Sequence, residues 1–300
     1  MARRRALSTA ALAATAALVV SAAPAHAANP SYVALGDSYS SGTGTRSYIS
    51  DGTSCLRSVY AYPSLIASAK GYDLNFRACS GAKIVDVSNT QLSALSNCNG
   101  AIDKAQAYVN QTLPGALNTL YANIKARAPQ AKVTVVGYPH IFNGVDCNLL
   151  TWFSASEMTR LNAMADLVNS TTRARATAAG FSFADPTTPF GGHAVCSSSE
   201  WINGLSNPIQ ESYHPNRTGQ ASGYTPTVSP YLTGSTVTAT AALLTTAKGS
   251  TKRLADQQKR YAASDRAIKP ALVLAPDLST PAAKAAAKKA KREDVASRAP

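Results

Sequence analysis

The spacing of apolar and polar residues changes repeatedly along this chain, and each change marks an element. Tyr32-Val33-Ala34-Leu35 is a short apolar run that stops at Gly36, and residues 73–78 form a weaker run of the same kind; both predict strands. Lys132-Val133-Thr134-Val135-Val136-Gly137 is the clearest buried strand, a β-branched run closed by glycine and followed by Pro139. Phe181-Ser182-Phe183-Ala184-Asp185-Pro186 predicts a fourth. Between them, Ile102, Ala105, Val109, Leu113, Leu117, Leu120 and Ile124 recur at three and four, as do Met158, Leu161, Ala165 and Val168, the mark of helices with one apolar face. Strand followed by helix, repeated, predicts an α/β domain over residues 28–234 with a mostly parallel sheet. That length supports one domain with a substantial core.

The two ends read differently. Residues 1–27 combine Arg3-Arg4-Arg5, an apolar run from 6 to 20 and the small-x-small site Ala25-His26-Ala27, which together predict a secretory signal peptide. The run is shorter than the roughly 18 to 20 residues a membrane span needs, so the chain is expected outside the cell, without stable membrane insertion. Residues 235–300 turn to Ala, Thr and Lys and show no face wide enough to build a core. They are expected to be a basic tail, disordered or loosely helical.

Charge follows the same division. The net +13 is made of three positive residues in 1–27, thirteen Lys and Arg against eleven Asp and Glu in 28–234, and thirteen against five in 235–300. The body is nearly neutral, which argues against a nucleic-acid partner. Five cysteines, Cys55, Cys79, Cys98, Cys147 and Cys196, imply disulfides in an exported chain, with one left over. No two cysteines fall at short ligand spacing, so zinc is a weak alternative, and no cofactor is expected.

The candidate chemistry lies where the first strand ends. Gly36 allows a tight turn at a strand's carboxyl end, and Ser38 is then presented near the start of the next element with its own N–H available to a developing oxyanion. Asp37 is expected to fix the turn through the backbone. Far downstream, Glu211-Ser212-Tyr213-His214-Pro215 supplies a histidine with an acid three residues before it, the remaining parts of a serine hydrolase.

These blocks resemble the GDSL, or SGNH, hydrolase family, especially its secreted actinobacterial lipases, esterases and phospholipases. Gly36-Asp37-Ser38-Tyr39-Ser40-Ser41-Gly42 is similar to the family's first block, Arg77-Ala78-Cys79-Ser80-Gly81-Ala82 to its second, and Glu211-Ser212-Tyr213-His214-Pro215-Asn216 to its last. The resemblance covers roughly residues 31 to 233. It implies a three-layer α/β/α sandwich, Ser38 as nucleophile, His214 as base, and the N–H groups of Ser38 and Gly81 as oxyanion donors. It offers two groups to orient His214: Glu211, the preferred one, or the backbone carbonyl of Ser212. It also implies the bridges Cys55 with Cys79 and Cys147 with Cys196.

One family block is missing. A strand followed by Gly-x-x-Asn belongs between Gly81 and the helix near Ala101, and residues 84–97 read instead as a short helix and loop. A deletion at about 96–98 removes the block, its central strand and the expected partner of Cys98 together, leaving a sheet one central strand short.

The expected function is a secreted, monomeric serine ester hydrolase acting on an acyl ester, lipid or phospholipid, through a Ser38 acyl-enzyme. The alternative is an impaired or inactive descendant that binds lipid or glycan, and a gene-model artefact is a further source for the gap. Of the remaining residues, His140 is expected to be packed or solvent-bonded and His193 to lie at the surface. Tyr39, Tyr138, Phe142, Trp152 and Phe153 form either an acyl groove or ordinary packing, and Arg217 a head-group contact or a surface ion pair.

Overall fold

A computed structural model describes residues 29–82, 98–145, 147, 153–206 and 208–268. The first described element is β1 (Ser31–Ala34), which delivers the four-residue helix α1 (Ser38–Ser41). There follow α2 (Tyr62–Lys70), β2 (Asp73–Phe76), α3 (Cys98–Gln111), α4 (Leu113–Arg127), β3 (Thr134–Val136), α5 (Ala155–Ala178), β4 (Ser182–Ala184) and α6 (Thr225–Thr233). The four expected strands are all present. The single apolar stripe from Ile102 to Ile124 is divided at Thr112, because Pro114 has no N–H to give to the turn behind it and sits in the first turn of a new helix.

The described strands pair in parallel: β1 with β2, Tyr32 opposite Leu74, and β3 with β4, Val135 opposite Phe183. Side chains alternate along a strand, and the alternation here sorts the helices into layers. Val135 packs with Leu117, Tyr121, Ala176 and Phe181 on the α4 and α5 side. Val136 and Ala184 pack with Tyr62, Ile66, Tyr224 and Val228 on the α2 and α6 side. A strand that packs against helices on both faces has no polar alternation to show, which is why 132–137 reads as a continuous apolar run. The result is an α/β fold of three layers.

Among the described residues the two strand pairs are not hydrogen-bonded to each other. Val33, on β1, and Leu35, just past its end, are 51% and 55% exposed. The helix and loop expected at 84–97 lie outside the described residues, as do the signal peptide and the side chain of Cys98.

The region after Gly234 departs from expectation. In place of a loose tail, α7 (Ala241–Gly249), α8 (Thr251–Lys259) and α9 (Ala262–Asp265) pack onto the body. Leu254 and Ala255 join Leu74, Phe76 and Val59 in one buried cluster, and Ala247 joins Leu65 and Ala221 in another. Burying one leucine contributes roughly 1.5–3 kcal/mol. With its amide turned to suit, Gln258 donates to the Phe76 carbonyl at 3.1 Å and accepts from the Phe76 N–H at 3.3 Å. The side chain thus pairs with β2 as a neighbouring strand would, and covers a sheet edge. Residues 269–300 lie outside the described part.

Candidate active site

Gly36 has φ +135°, and a Cβ there would lie 2.6 Å from the Ser40 hydroxyl, so only glycine makes this turn. Asp37 caps α1: its carboxylate accepts from the Tyr39 N–H at 3.0 Å and from the Tyr138 hydroxyl at 2.6 Å. The first bond fixes the turn locally, and the second ties it to the segment that follows β3. The carboxylate also drives the Tyr138 hydroxyl well above its ordinary pKa, with burial adding to the effect, so the phenol stays a donor.

His214 arrives on a clamped loop. The Asn203 N–H donates to the His214 carbonyl, the Tyr213 N–H donates back to the Asn203 carbonyl, and Tyr39 donates its hydroxyl to the Tyr213 carbonyl at 2.8 Å. Tyr213 itself sits at φ +60°, a left-handed conformation that disfavours side chains and swings the next residue toward α1. Its ring packs against Phe142 and Phe153.

The consequence is a linear relay. His214 Nε2 lies 2.8 Å from Ser38 Oγ, and His214 Nδ1 lies 2.8 Å from the Ser212 carbonyl oxygen. A carbonyl can only accept, so Nδ1 carries the proton and Nε2 presents its lone pair to the serine hydroxyl. Burial lowers the His214 pKa from 6.5, partly opposed by the bond to Ser212 and by the charges of Asp37 and Glu211. The ring therefore rests in the neutral form that a base requires.

Glu211, the preferred orienting group, is not brought to His214. Its buried carboxylate accepts from Tyr48 at 2.7 Å and from Arg46 at 3.0 Å, tying the 46–48 loop to the histidine loop. The lengthened side chain finds two donors on the far side of the loop, while the Ser212 carbonyl already fills the position beside Nδ1.

The block containing Gly81 docks on the serine turn. The N–H groups of Arg77 and Ala78 donate to the Ala34 carbonyl and that of Cys79 to the Gly36 carbonyl, while Ser80 donates to the Cys55 carbonyl. The Cys55–Cys79 disulfide fastens this junction, and Cys147–Cys196 joins the 147 region to the loop before Trp201. Among the described residues, neither the Ser38 nor the Gly81 N–H is taken by a protein acceptor. Cys147, Cys196 and Glu200 cluster closely, but the two sulfurs are bonded to each other and offer no thiolate to a metal.

The family model described as "GDSL-like Lipase/Acylhydrolase family" matches residues 34–221, which include all three blocks. The chain belongs to this GDSL-like hydrolase family. Carboxylic ester hydrolysis is accordingly its chemistry. The GDSL-like chain is 40% identical over 227 residues to a lipase of Streptomyces rimosus, covering 65% of this chain and 84% of that one. It is 40% identical over 228 residues to Lipase 1 of Streptomyces coelicolor, with the same two coverages. Of solved structures, it resembles the extracellular lipase of Streptomyces rimosus with a TM-score of 0.61 and 37% identity, over 69% of this chain and all of that one. It resembles phospholipase A1 of Streptomyces albidoflavus with a TM-score of 0.60 and 36% identity, over 67% and 98%.

The other candidates of this GDSL-like chain take quieter places. His140 pairs with the exposed Asp166, and His193 stacks on Trp201 at 3.7 Å. Arg217 lies over the Tyr60 ring and donates to the Thr45 carbonyl. Trp152 is outside the described residues. Sequence reasoning did not anticipate Asn203 or Gly44. Gly44 has φ +97°, and a Cβ there would come within 2.9 Å of His214 and 2.8 Å of the Pro215 carbonyl; a glycine close to Tyr48 in sequence is the only trace of this.

Proposed function

We propose that this chain is a secreted serine hydrolase that cleaves acyl esters, of lipid or phospholipid type, through an acyl-enzyme on Ser38. The observation that carries the reading is the 2.8 Å contact between His214 Nε2 and Ser38 Oγ, with the Ser212 carbonyl behind Nδ1. Ser38 Oγ attacks the ester carbonyl as its proton passes to Nε2, and the resulting oxyanion accepts from the Ser38 and Gly81 N–H groups. Collapse expels the alcohol, which takes the proton from His214. Water, activated by the same imidazole, then hydrolyses the acyl-enzyme.

The aromatic cluster of Phe142, Phe153 and Tyr213 beside His214, and exposed Val33 and Leu35 leading to Gly36, supply apolar surface suited to an acyl group. The names of the Streptomyces relatives point to the same substrate class. Export is supported by the leader pattern, by two disulfides and by the extracellular lipase among the similar structures. No described helix is long and apolar enough to cross a membrane. The protein acts as a monomer. The Gly-x-x-Asn block is not found in the sequence, and lack of that oxyanion donor costs about 3–4 kcal/mol of transition-state stabilisation, slowing the reaction 10²- to 10³-fold without changing its mechanism.

A fluorophosphonate tests this directly. One equivalent is expected to add to the wild-type protein and none to Ser38→Ala, with ester cleavage lost in parallel. Ligand binding equal in both proteins, with no label and no cleavage, would instead identify a binding protein.

A further inference from the structure

The helices α7 to α9 lie beyond residue 221, where the family match ends, yet they reach the block that presents Gly81. Arg57 is fully buried and faces three acceptors. Its Nε donates to the Ala78 carbonyl at 2.8 Å, Nη1 to Asp51 at 2.5 Å and Nη2 to Asp265 at 2.6 Å. Asp265, only 1% exposed at its side chain, also accepts from Arg77 Nη2 at 2.6 Å. The Arg77 guanidinium lies over the ring of Tyr261 at 4.0 Å, on the same C-terminal segment. Buried Arg57 and partly exposed Arg77 thus meet two buried aspartates, one from the loop before Cys55 and one from α9.

This group is joined to the serine turn by short links. Arg57 holds the carbonyl of Ala78, three residues before Gly81. Arg77 and Ala78 hold the Ala34 carbonyl through their N–H groups, and Cys79 holds that of Gly36. Gly81 has φ +80°, one of several conformations open to glycine, so the contacts of its neighbours decide where its N–H points. Buried ion pairs are weak contributors to net stability, but they fix geometry strongly, because removing one member strands the other charge.

We propose that Asp265 is a positioning residue for the ester-hydrolase reaction: through Arg57 and Arg77 the C-terminal helices set the block that aims the Gly81 N–H at the oxyanion. The inference rests on the reading of Ser38 and Gly81 as the oxyanion pair. Asp265 touches no reacting atom. Its effect belongs to the transition state, since the aim of an N–H matters most when the carbonyl oxygen becomes charged.

The test uses the full chain with Asp265→Asn and, separately, Arg77→Gln. Active sites are titrated with fluorophosphonate, and kcat and KM for a soluble p-nitrophenyl ester are then expressed per titrated site. Both variants are expected to lose roughly 10- to 100-fold in kcat per site, the range that small misplacements of catalytic groups produce. KM should stay within about twofold, since ground-state binding is not involved. The double variant should fall no further than the weaker single one, because both act through one link. Lys252→Ala, in an exposed pair with Asp256 on α8, should match wild type.

Wild-type kcat per titrated site in Arg77→Gln or Asp265→Asn, whatever the loss of yield or melting temperature, would overturn the proposal and leave Asp265 as a clamp for the fold alone. If Asp265→Asn fails to fold, Arg77→Gln decides, since it keeps Arg57 paired with both aspartates. Failure of the underlying serine mechanism looks different: the wild-type protein itself would take no label, which would overturn both readings.

Discussion

Replacing Glu211 with alanine separates stability from chemistry in this site. The carboxylate is buried and accepts from Tyr48 and Arg46, whereas His214 Nδ1 is held by the Ser212 carbonyl. The bond from Tyr48 to a charged acceptor is worth about 1.5–3 kcal/mol. The pair with Arg46, whose side chain is 60% exposed, adds only about 0.2–1 kcal/mol after solvent screening. Glu211→Ala should therefore lose about 2–4 kcal/mol of folding stability, a melting temperature lower by roughly 4–15 °C for a domain of this size. At 25 °C the folded variant should keep kcat within about fivefold of wild type, whereas loss of the orienting carboxylate in a true triad costs about 10⁴-fold. His214→Ala, by contrast, should abolish turnover. Thermal melts and kcat per phosphonate-titrated site measure the two effects separately. A loss of 10³-fold or more in Glu211→Ala, in protein still folded and labelled in full, would refute the assignment of the Ser212 carbonyl as the orienting group.

Two further outcomes follow from the same geometry. Only neutral His214 can accept the Ser38 proton, and burial lowers its pKa, so the acid limb of kcat/KM should have its midpoint below 6.5 with activity retained above it; a midpoint at or above 6.5 in a pH–rate profile would contradict the buried, carbonyl-held ring. Replacing Cys55 and Cys79 by alanine opens a loop with a sequence separation of 24, which the chain-entropy relation values at about 3.5 kcal/mol, read as a lower denaturant midpoint; an unchanged midpoint would mean that the hydrogen bonds of 77–80 hold the junction unaided.

Several elements were legible in the sequence because their signal is local. The β-branched run at 132–137 becomes β3, with Val135 and Val136 feeding opposite helical layers, and Gly36 makes the turn its position requires. The proposed nucleophile and base, Ser38 and His214, were picked out by three spaced blocks, and their side chains lie 2.8 Å apart. What orients the base was not: a backbone carbonyl leaves no side-chain signature, and the left-handed Tyr213 that swings His214 into place is an ordinary tyrosine in the sequence. The C-terminal helices were misjudged for a related reason. Their docking relies on Gln258 and Asp265, polar residues that read as solvated surface until partners 182 and 208 positions away are seen. Composition averaged over such a segment conceals the few side chains that face inward.

Val33 and Leu35 carry a consequence for handling this protein. On the other side of the sheet Gln258 occupies the backbone groups of β2, but no described strand or side chain performs that service for the inner flank of β1. A strand edge without a partner among the described residues, flanked by half-exposed Val33 and Leu35, is the kind of surface on which a second molecule can pair, and a length of four residues limits such growth. Where that edge is open, concentration-dependent association is expected to start there, and charge placed on its exposed aliphatic positions should oppose it.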